Sequence, residues 1–201
     1  MEKGKYTLRA AETALLLALG ITLLVGMTAR GEQRRLADKL VRLHVLAVSD
    51  SEEDQAVKLR VRDEVLAYLT PILRGAENAQ EAVGLLSREL PALETIAREV
   101  SGETFVSAAL SREPYPTREY ETFSLPAGMY TSLRITLGAG EGHNWWCVVY
   151  PPLCTASAGD FARTASALEE DEVKLITEDG KGYEIRFRLV EWWGRLTAKW
   201  K

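Results

Sequence analysis

The chain has 201 residues, 46% of them hydrophobic and 27% charged. That is the make-up of one folded domain with a small appendage, not of a disordered chain. The net charge of −4 becomes −6 once residues 1–30, with four basic and two acidic side chains, are set aside. A phosphate-binding face needs the opposite balance, so nucleic acid is not expected as a partner.

Lys3, Lys5 and Arg9 precede a charge-free stretch from Thr13 to Ala29. As a helix it would span roughly 25 Å, slightly under a hydrocarbon core of about 30 Å. A basic flank before an apolar run at the N-terminus predicts a signal peptide or signal-anchor over residues 1–30. The positive-inside tendency places Glu32 onward outside the membrane. Residues 31–201 then form a single exported domain.

Gly31 to Lys39 reads as a juxtamembrane linker or first helical turns. Leu40 to Val48 (LVRLHVLAV) is apolar and β-branched, a largely buried strand. Ser51 caps a helix whose first turn holds Glu52, Glu53 and Asp54. Leu59, Leu66 and Leu69 give it one stripe, with Val57, Val61 and Val65 beside it, and Pro71 is expected to stop it. Asn78 with Glu81 starts a second helix. Pro91 is expected to restart the chain as a third, ended by Gly102. From Thr104 the period changes to two. Strands are predicted at 104–110, 120–125, 129–137 and 145–150, with Pro126-Ala127-Gly128 as a hairpin connection. Thr155 to Asp171 reads as a helical excursion, Val173 to Phe187 as a second hairpin, and Leu189 to Trp200 as an amphipathic helix. The fold class is α+β: an N-terminal hydrophobic helix, then a mostly antiparallel or mixed sheet packed with two or three helices.

The densest segment is GAGEGHNWWCVVYPPLC, Gly138 to Cys154, with both cysteines of the chain. Outside a reducing cytosol Cys147 and Cys154 can pair. A loop of about eight residues would stabilise the fold by roughly 2.5 kcal/mol. The other reading is a buried free Cys147 on a strand and an unrelated Cys154. His143 lies four residues before Cys147, but on a strand that is about 13 Å, too far for a thiol–imidazole pair unless the glycine turn folds back. The acids Asp50, Glu52, Glu53 and Asp54 lack the glycine and the twelfth-position acid of a calcium loop, and read as helix capping. No triad, metal-ligand spacing, phosphate loop or dinucleotide fingerprint is present. Adjacent Trp145 and Trp146 point to opposite faces of a strand. One is expected in the core and the other at the surface for recognition.

LHVLAVSDSEEDQAVKLRVRDEVL (Leu43 to Leu66), YPTREY (Tyr115 to Tyr120), LPAGMYTSLRITLG (Leu125 to Gly138) and GHNWWCVVYPPLC (Gly142 to Cys154) resemble the stage II sporulation protein R family of endospore-forming Firmicutes. The similarity runs in order from about Leu40 to Cys154. It implies a signalling protein made in the forespore and exported into the space between two membranes, either secreted or anchored by its N-terminus. There it would activate a mother-cell membrane aspartic protease from its extracytoplasmic side, and so lead to processing of the early mother-cell sigma-factor precursor. It implies no enzyme, no catalytic residue, no cofactor and no metal. Tyr115, Arg118, Tyr120, His143, Asn144, Trp145 and Trp146 are the candidate partner-binding residues, because aromatic residues and arginine dominate interface hot spots. The alternative is a cell-envelope thiol enzyme or glycan-binding module that uses His143, Cys147 and the tryptophans.

Overall fold

The structure, a computed structural model, describes residues 2–120, 123–153, 168, 173, 176 and 177, with the backbone alone for 2–11, 25 and 28–30. Helix α1 (Glu2–Asp38) leads into strand β1 (Val41–Leu46). Helices α2 (Glu52–Leu73) and α3 (Ala79–Ser101) follow, then β2 (Val106–Tyr115), the two-residue strands β3 (Arg118–Glu119) and β4 (Ser124–Leu125), β5 (Gly128–Leu137) and β6 (Asn144–Tyr150). The main sheet has the order β2-β5-β1-β6. β1 runs parallel to β5, while β2–β5 and β1–β6 are antiparallel, so the sheet is mixed. The α+β class is as the sequence predicts.

Register divides the sheet into two chemically different faces. Val41, Leu43 and Val45 of β1 align with Leu133, Ile135, Cys147 and their neighbours. This face packs on Val61, Val65 and Leu69 of α2 and on Leu86, Leu93 and Ala97 of α3, all fully buried. Full burial of each aliphatic side chain contributes about 1.5–3 kcal/mol. The other face carries Arg42, His44, Ser132 and Trp146. It is closed by a second cluster that includes Leu36, Ala37, Leu40, Phe123, Leu125, Leu153, Leu168 and Ile176.

The capping predictions hold. The Asp54 amide donates to Ser51 Oγ at 3.1 Å, and the Glu81 amide donates to Asn78 Oδ1 at 2.9 Å. Gly102 ends α3 at φ 74°, a left-handed conformation that disfavours other residues.

Several expectations need correction. Pro71 does not stop α2, which runs on to Leu73: the proline removes one i→i−4 hydrogen bond, and burial of Leu69 and Leu73 on either side keeps the turn in place. Pro91 does not begin a separate helix but lies inside a continuous α3. Its own position is exposed, while Ala82, Leu86, Leu93 and Ala97 stay on one buried stripe. Packing of that stripe outweighs the roughly 3 kcal/mol cost of an interior proline. Leu59 is only partly buried, and Lys58 is buried in its place. β2 extends to Tyr115 and pairs with β5, so Pro126-Ala127-Gly128 joins strands of different sheets. The short hairpin is instead β3–β4, with the Tyr120 amide donating to the Phe123 carbonyl at 2.8 Å. Val173, Ile176 and Thr177 are helical, not a strand. The expected C-terminal hairpin past Thr177 and the terminal helix lie outside the described residues.

Of the two readings of Gly31 to Lys39, linker or helical turns, the structure has the helix through Asp38, and Leu36 and Leu40 are fully buried. α1 is apolar only in its middle, where Leu15, Leu16, Leu17, Leu19, Ile21 and Leu23 are all exposed. Among the described residues no helix is long and apolar enough to cross a membrane. The hydrophobic character expected of the N-terminal helix is therefore not established over a spanning length.

The glycine-rich turn after β5 folds back on the β1–α2 loop. The Gly142 amide donates to the Ala47 carbonyl at 3.0 Å, and a Cβ on Gly142 would stand 2.2 Å from the Ser49 carbonyl oxygen. Backbone atoms cannot yield as a flexible side chain can. Gly142→Ala is expected to lower stability by about 1–3 kcal/mol. Urea unfolding checks this; an unchanged midpoint would mean the turn does not need the close approach.

Candidate functional site

Arg42 and His44 are two residues apart on β1, so both project from the face turned away from α2 and α3. In an otherwise apolar strand that spacing places a polar pair inside the protein. Arg42 is fully buried. Its guanidinium lies 4.1 Å from the centre of the Tyr115 ring and 5.2 Å from that of Tyr130. Nε donates to the Cys147 carbonyl at 3.4 Å, and Nη2 donates to the Tyr120 hydroxyl at 2.5 Å. The tyrosine ring faces partly offset the cost of a buried cation. Burial pushes the Tyr130 hydroxyl up to about 12, and its proton is donated to the Pro126 carbonyl at 2.7 Å. Burial raises Tyr115 and Tyr120 as well. All three therefore remain neutral phenols at physiological pH.

His44 occupies the next tier. Its Nδ1 is 2.9 Å from Glu113 Oε2, and its Nε2 is 2.9 Å from Asn144 Oδ1. Both ring nitrogens are thus within hydrogen-bond reach of a side chain. Glu113 also accepts from Ser111 Oγ at 3.1 Å and from Arg134 Nη1 at 3.2 Å. Burial alone would raise the Glu113 carboxyl. The hydrogen bond and charge of His44, with hydrogen bonds from Ser132 and Ser111, outweigh it and hold the group below its ordinary 4.5. A depressed carboxyl contributes stability above the unfolded-state value and loses it as pH falls through the folded-state value. Glu113→Gln is therefore expected to flatten the loss of stability on acidification below about pH 4.5. Chemical denaturation across pH 3–6 tests this, and an unaltered acid limb would contradict it.

The outer surface of the cluster is Trp146 with Arg118. The Arg118 guanidinium lies 4.2 Å from a Trp146 ring centre, and Trp146 in turn meets His44 at 5.8 Å and Tyr115 at 6.0 Å. Arg118 and Asn144 are exposed, while Trp146 is half-buried. The Tyr120 ring stacks on Phe123 at 4.5 Å, and its hydroxyl donates to the Trp146 carbonyl at 3.3 Å.

Thus five of the seven predicted recognition residues, Tyr115, Arg118, Tyr120, Asn144 and Trp146, meet around Arg42 and His44. Tyr115 is buried and supports the patch without being offered by it. The other two stand apart. His143 is exposed, with both its amide and its Nδ1 on Asp50 Oδ1, the amide at 2.6 Å. Trp145 is on the opposite face, under the Arg62 guanidinium at 4.4 Å, with its buried Nε1 unbonded. Neither tryptophan is fully buried, so the expected split into one core and one surface ring becomes one ring in each cluster.

Cys147 is fully buried on the helix side of β6, whereas the His143 ring is exposed and held by Asp50, so the two form no nucleophile–base pair. Cys154 lies outside the described residues. Lys58 is buried under the glycine turn, its ammonium donating to the His143 carbonyl at 2.8 Å and to Gln55 Oε1 at 2.5 Å. Burial lowers its pKa, Asp50 opposes that and Arg62 adds to it. Among the described residues no cluster of histidine, cysteine or carboxylate side chains is placed to hold a metal.

Sequence reasoning missed Arg42, His44, Glu113, Ser132 and Arg134. The signal for the first two was present: a cation and an imidazole at alternate positions of a buried strand. Glu113 lay beyond the predicted end of its strand.

These features define a mixed-sheet α+β domain with helices on one face and a polar–aromatic cluster, open at one edge, on the other. A model of the stage II sporulation protein R family matches residues 37–160. The chain is 31% identical over 184 residues to Stage II sporulation protein R of Bacillus subtilis (strain 168), covering 78% of this chain and 81% of that protein. The chain belongs to the stage II sporulation protein R family, and its role is in sporulation. No solved structure matches it.

Proposed function

We propose that this protein is an exported, non-enzymatic signal that activates a mother-cell membrane aspartic protease, so that the early mother-cell sigma-factor precursor is processed. It acts from the space between the forespore and mother-cell membranes, with residues 1–30 as signal peptide or anchor and the rest as one signalling domain. Family membership supports the setting. The observation that carries the recognition role is the Trp146–Arg118 stack beside Asn144, an arginine and an aromatic held at the surface by a half-buried hydrogen-bonded tier. Such anchors typify interface hot spots. The exposed leucines in the middle of α1 form an apolar surface of the kind that marks contact with a membrane or another protein.

Export also suits the Cys147–Cys154 bridge, and no described cysteine is free. Mass spectrometry of unreduced peptides from exported protein is expected to find the linked pair. Two alkylated thiols would refute the bridge.

The test of the function is co-expression with the protease and the sigma-factor precursor in a non-sporulating host. Processing is expected only when all three are present and this chain is exported. Processing by a variant retained in the cytoplasm, or none with the exported protein, would refute the proposal.

A further inference from the structure

Strand β2 forms one edge of the main sheet, with β5 as its neighbour on the inner side. The alignment with β5 runs from Val106 to Tyr115 without a shift, so this edge is ten residues long and unbulged. Two bonds fix which backbone groups face outward. The Gly138 amide donates to the Phe105 carbonyl at 2.8 Å, so the odd-numbered residues of β2 bond to β5. The Ala108 amide instead donates to Glu94 Oε1 of α3 at 3.0 Å, on the open side. The amides and carbonyls of Leu110 and Arg112 point the same way as that of Ala108. Among the described residues they have no partner.

Native edge strands are commonly guarded by charge, proline or a bulge. In β2 the guards are Arg112, Glu113 and Pro114, all at one end. Ser107 to Ser111 (SAALS) carries no charge, and Phe105, just before the strand, is 78% exposed.

A second copy of β2 fits this edge when the two strands run antiparallel about Leu110. Leu110 then faces its own counterpart and exchanges both backbone hydrogen bonds with it. Arg112 faces Ala108 of the second copy and Glu113 faces Ser107, so no like charges meet. Phe105 comes to the Tyr115 end of the other strand and gains cover there. Arg112 shares the helix-side face of the sheet with Ala108 and Leu110 by alternation. Glu94 is anchored at the Ala108 amide, so it lies where Arg112 of the second copy arrives. Glu94 forms no ion pair among the described residues, and that of Arg112, with Asp38, is exposed. The two-fold arrangement therefore creates two Glu94–Arg112 pairs.

We propose that the β2 edge is a self-association surface: two copies of this chain join their main sheets through β2, clasped by Glu94–Arg112 ion pairs. β6, which carries Trp146, is at the other edge of the sheet, so the dimer leaves the docking surface accessible.

The experiment is sedimentation equilibrium of the full chain in density-matched non-ionic detergent, without the protease, over a concentration series. A monomer–dimer equilibrium is expected. Glu94→Arg and Arg112→Glu should each weaken it at least about tenfold, and the two together should restore it with the signs exchanged. Thermal melts establish that each variant is folded. Should a single variant not fold, crosslinking decides the matter. A photoreactive amino acid at position 111 is expected to link to residues around Ala109 of a second copy, read as linked peptides between ¹⁴N and ¹⁵N chains mixed before irradiation. A monomer at every concentration, or an unchanged dimer in both folded single variants, would overturn the proposal. So would a crosslink from position 111 to residues 178–201 of the same chain, which would assign the edge to the C-terminal segment. Because the protease is absent, failure here leaves the docking reading to its own test.

Discussion

Deletion of residues 2–30 is expected to leave the domain folded but silent, whereas deletion through Leu40 is expected to unfold it. The distinction follows from where α1 stops being solvent-facing. The leucines from Leu15 to Leu24 are exposed, while Leu36, Ala37 and Leu40 are buried in the second cluster with Tyr130 and Leu125. Two fully buried leucines contribute about 3–6 kcal/mol together. That is comparable to the total stability of about 5–15 kcal/mol usual for a domain. The shorter deletion removes none of it but removes the basic flank and the apolar run on which export is proposed to depend. Circular dichroism melts of the two truncated proteins, paired with the sigma-factor processing assay, check both halves. A cooperative melt for the longer deletion would mean that the α1 end is not part of the core. Full processing by the shorter one would separate signalling from the N-terminal segment.

Arg118→Glu is expected to abolish protease activation without a comparable loss of fold. Arg118 is exposed, and its contact is the face of Trp146, so its contribution to stability is small. Loss of a hot-spot side chain typically costs 2 kcal/mol or more of binding, about 30-fold. Arg62→Glu is the matched control, because Arg62 stacks on Trp145 on the opposite face of β6. Dose–response of processing against the expressed amount of each variant gives the comparison. Equal losses for both would argue for a general charge effect. A loss at Arg62 alone would move the docking surface to the helix side.

Much of this architecture is legible before any coordinates. Ser51, Asn78 and Gly102 announce their helix ends because capping is local chemistry. Leu40 to Val48 announces a buried strand because its composition is extreme. Proline was the misleading signal. Read alone, Pro71 is a stop and Pro91 the start of a new helix; in the folded chain Leu86, Leu93 and Ala97 hold α3 together across the break in hydrogen bonding. Strand pairing was less legible. The partnership of β2 with β5 encloses residues 116–127, and nothing in the Pro126-Ala127-Gly128 triplet distinguishes a hairpin turn from a link between sheets.

For the site, the blocks YPTREY and GHNWWC were identifiable as unusual. What they surround was not, because its members come from β1, β2 and β5 and meet only through the sheet register. Arg42 stands opposite Ser132, and His44 opposite Arg134 and Trp146. A parallel pairing between β1 and β5, some ninety residues apart, has no local signature. His143 was drawn in by its nearness to Cys147 in sequence, yet Asp50 holds it at the turn.

The most direct test of the docking account is site-specific photocrosslinking to the membrane protease. A photoreactive amino acid at position 118, and separately at position 62, places the probe on opposite faces of the same β6 strand's neighbourhood. The account predicts a crosslink to the protease from position 118 and none from position 62. A crosslink from 62 alone, or none from either in a strain where processing proceeds normally, would contradict it.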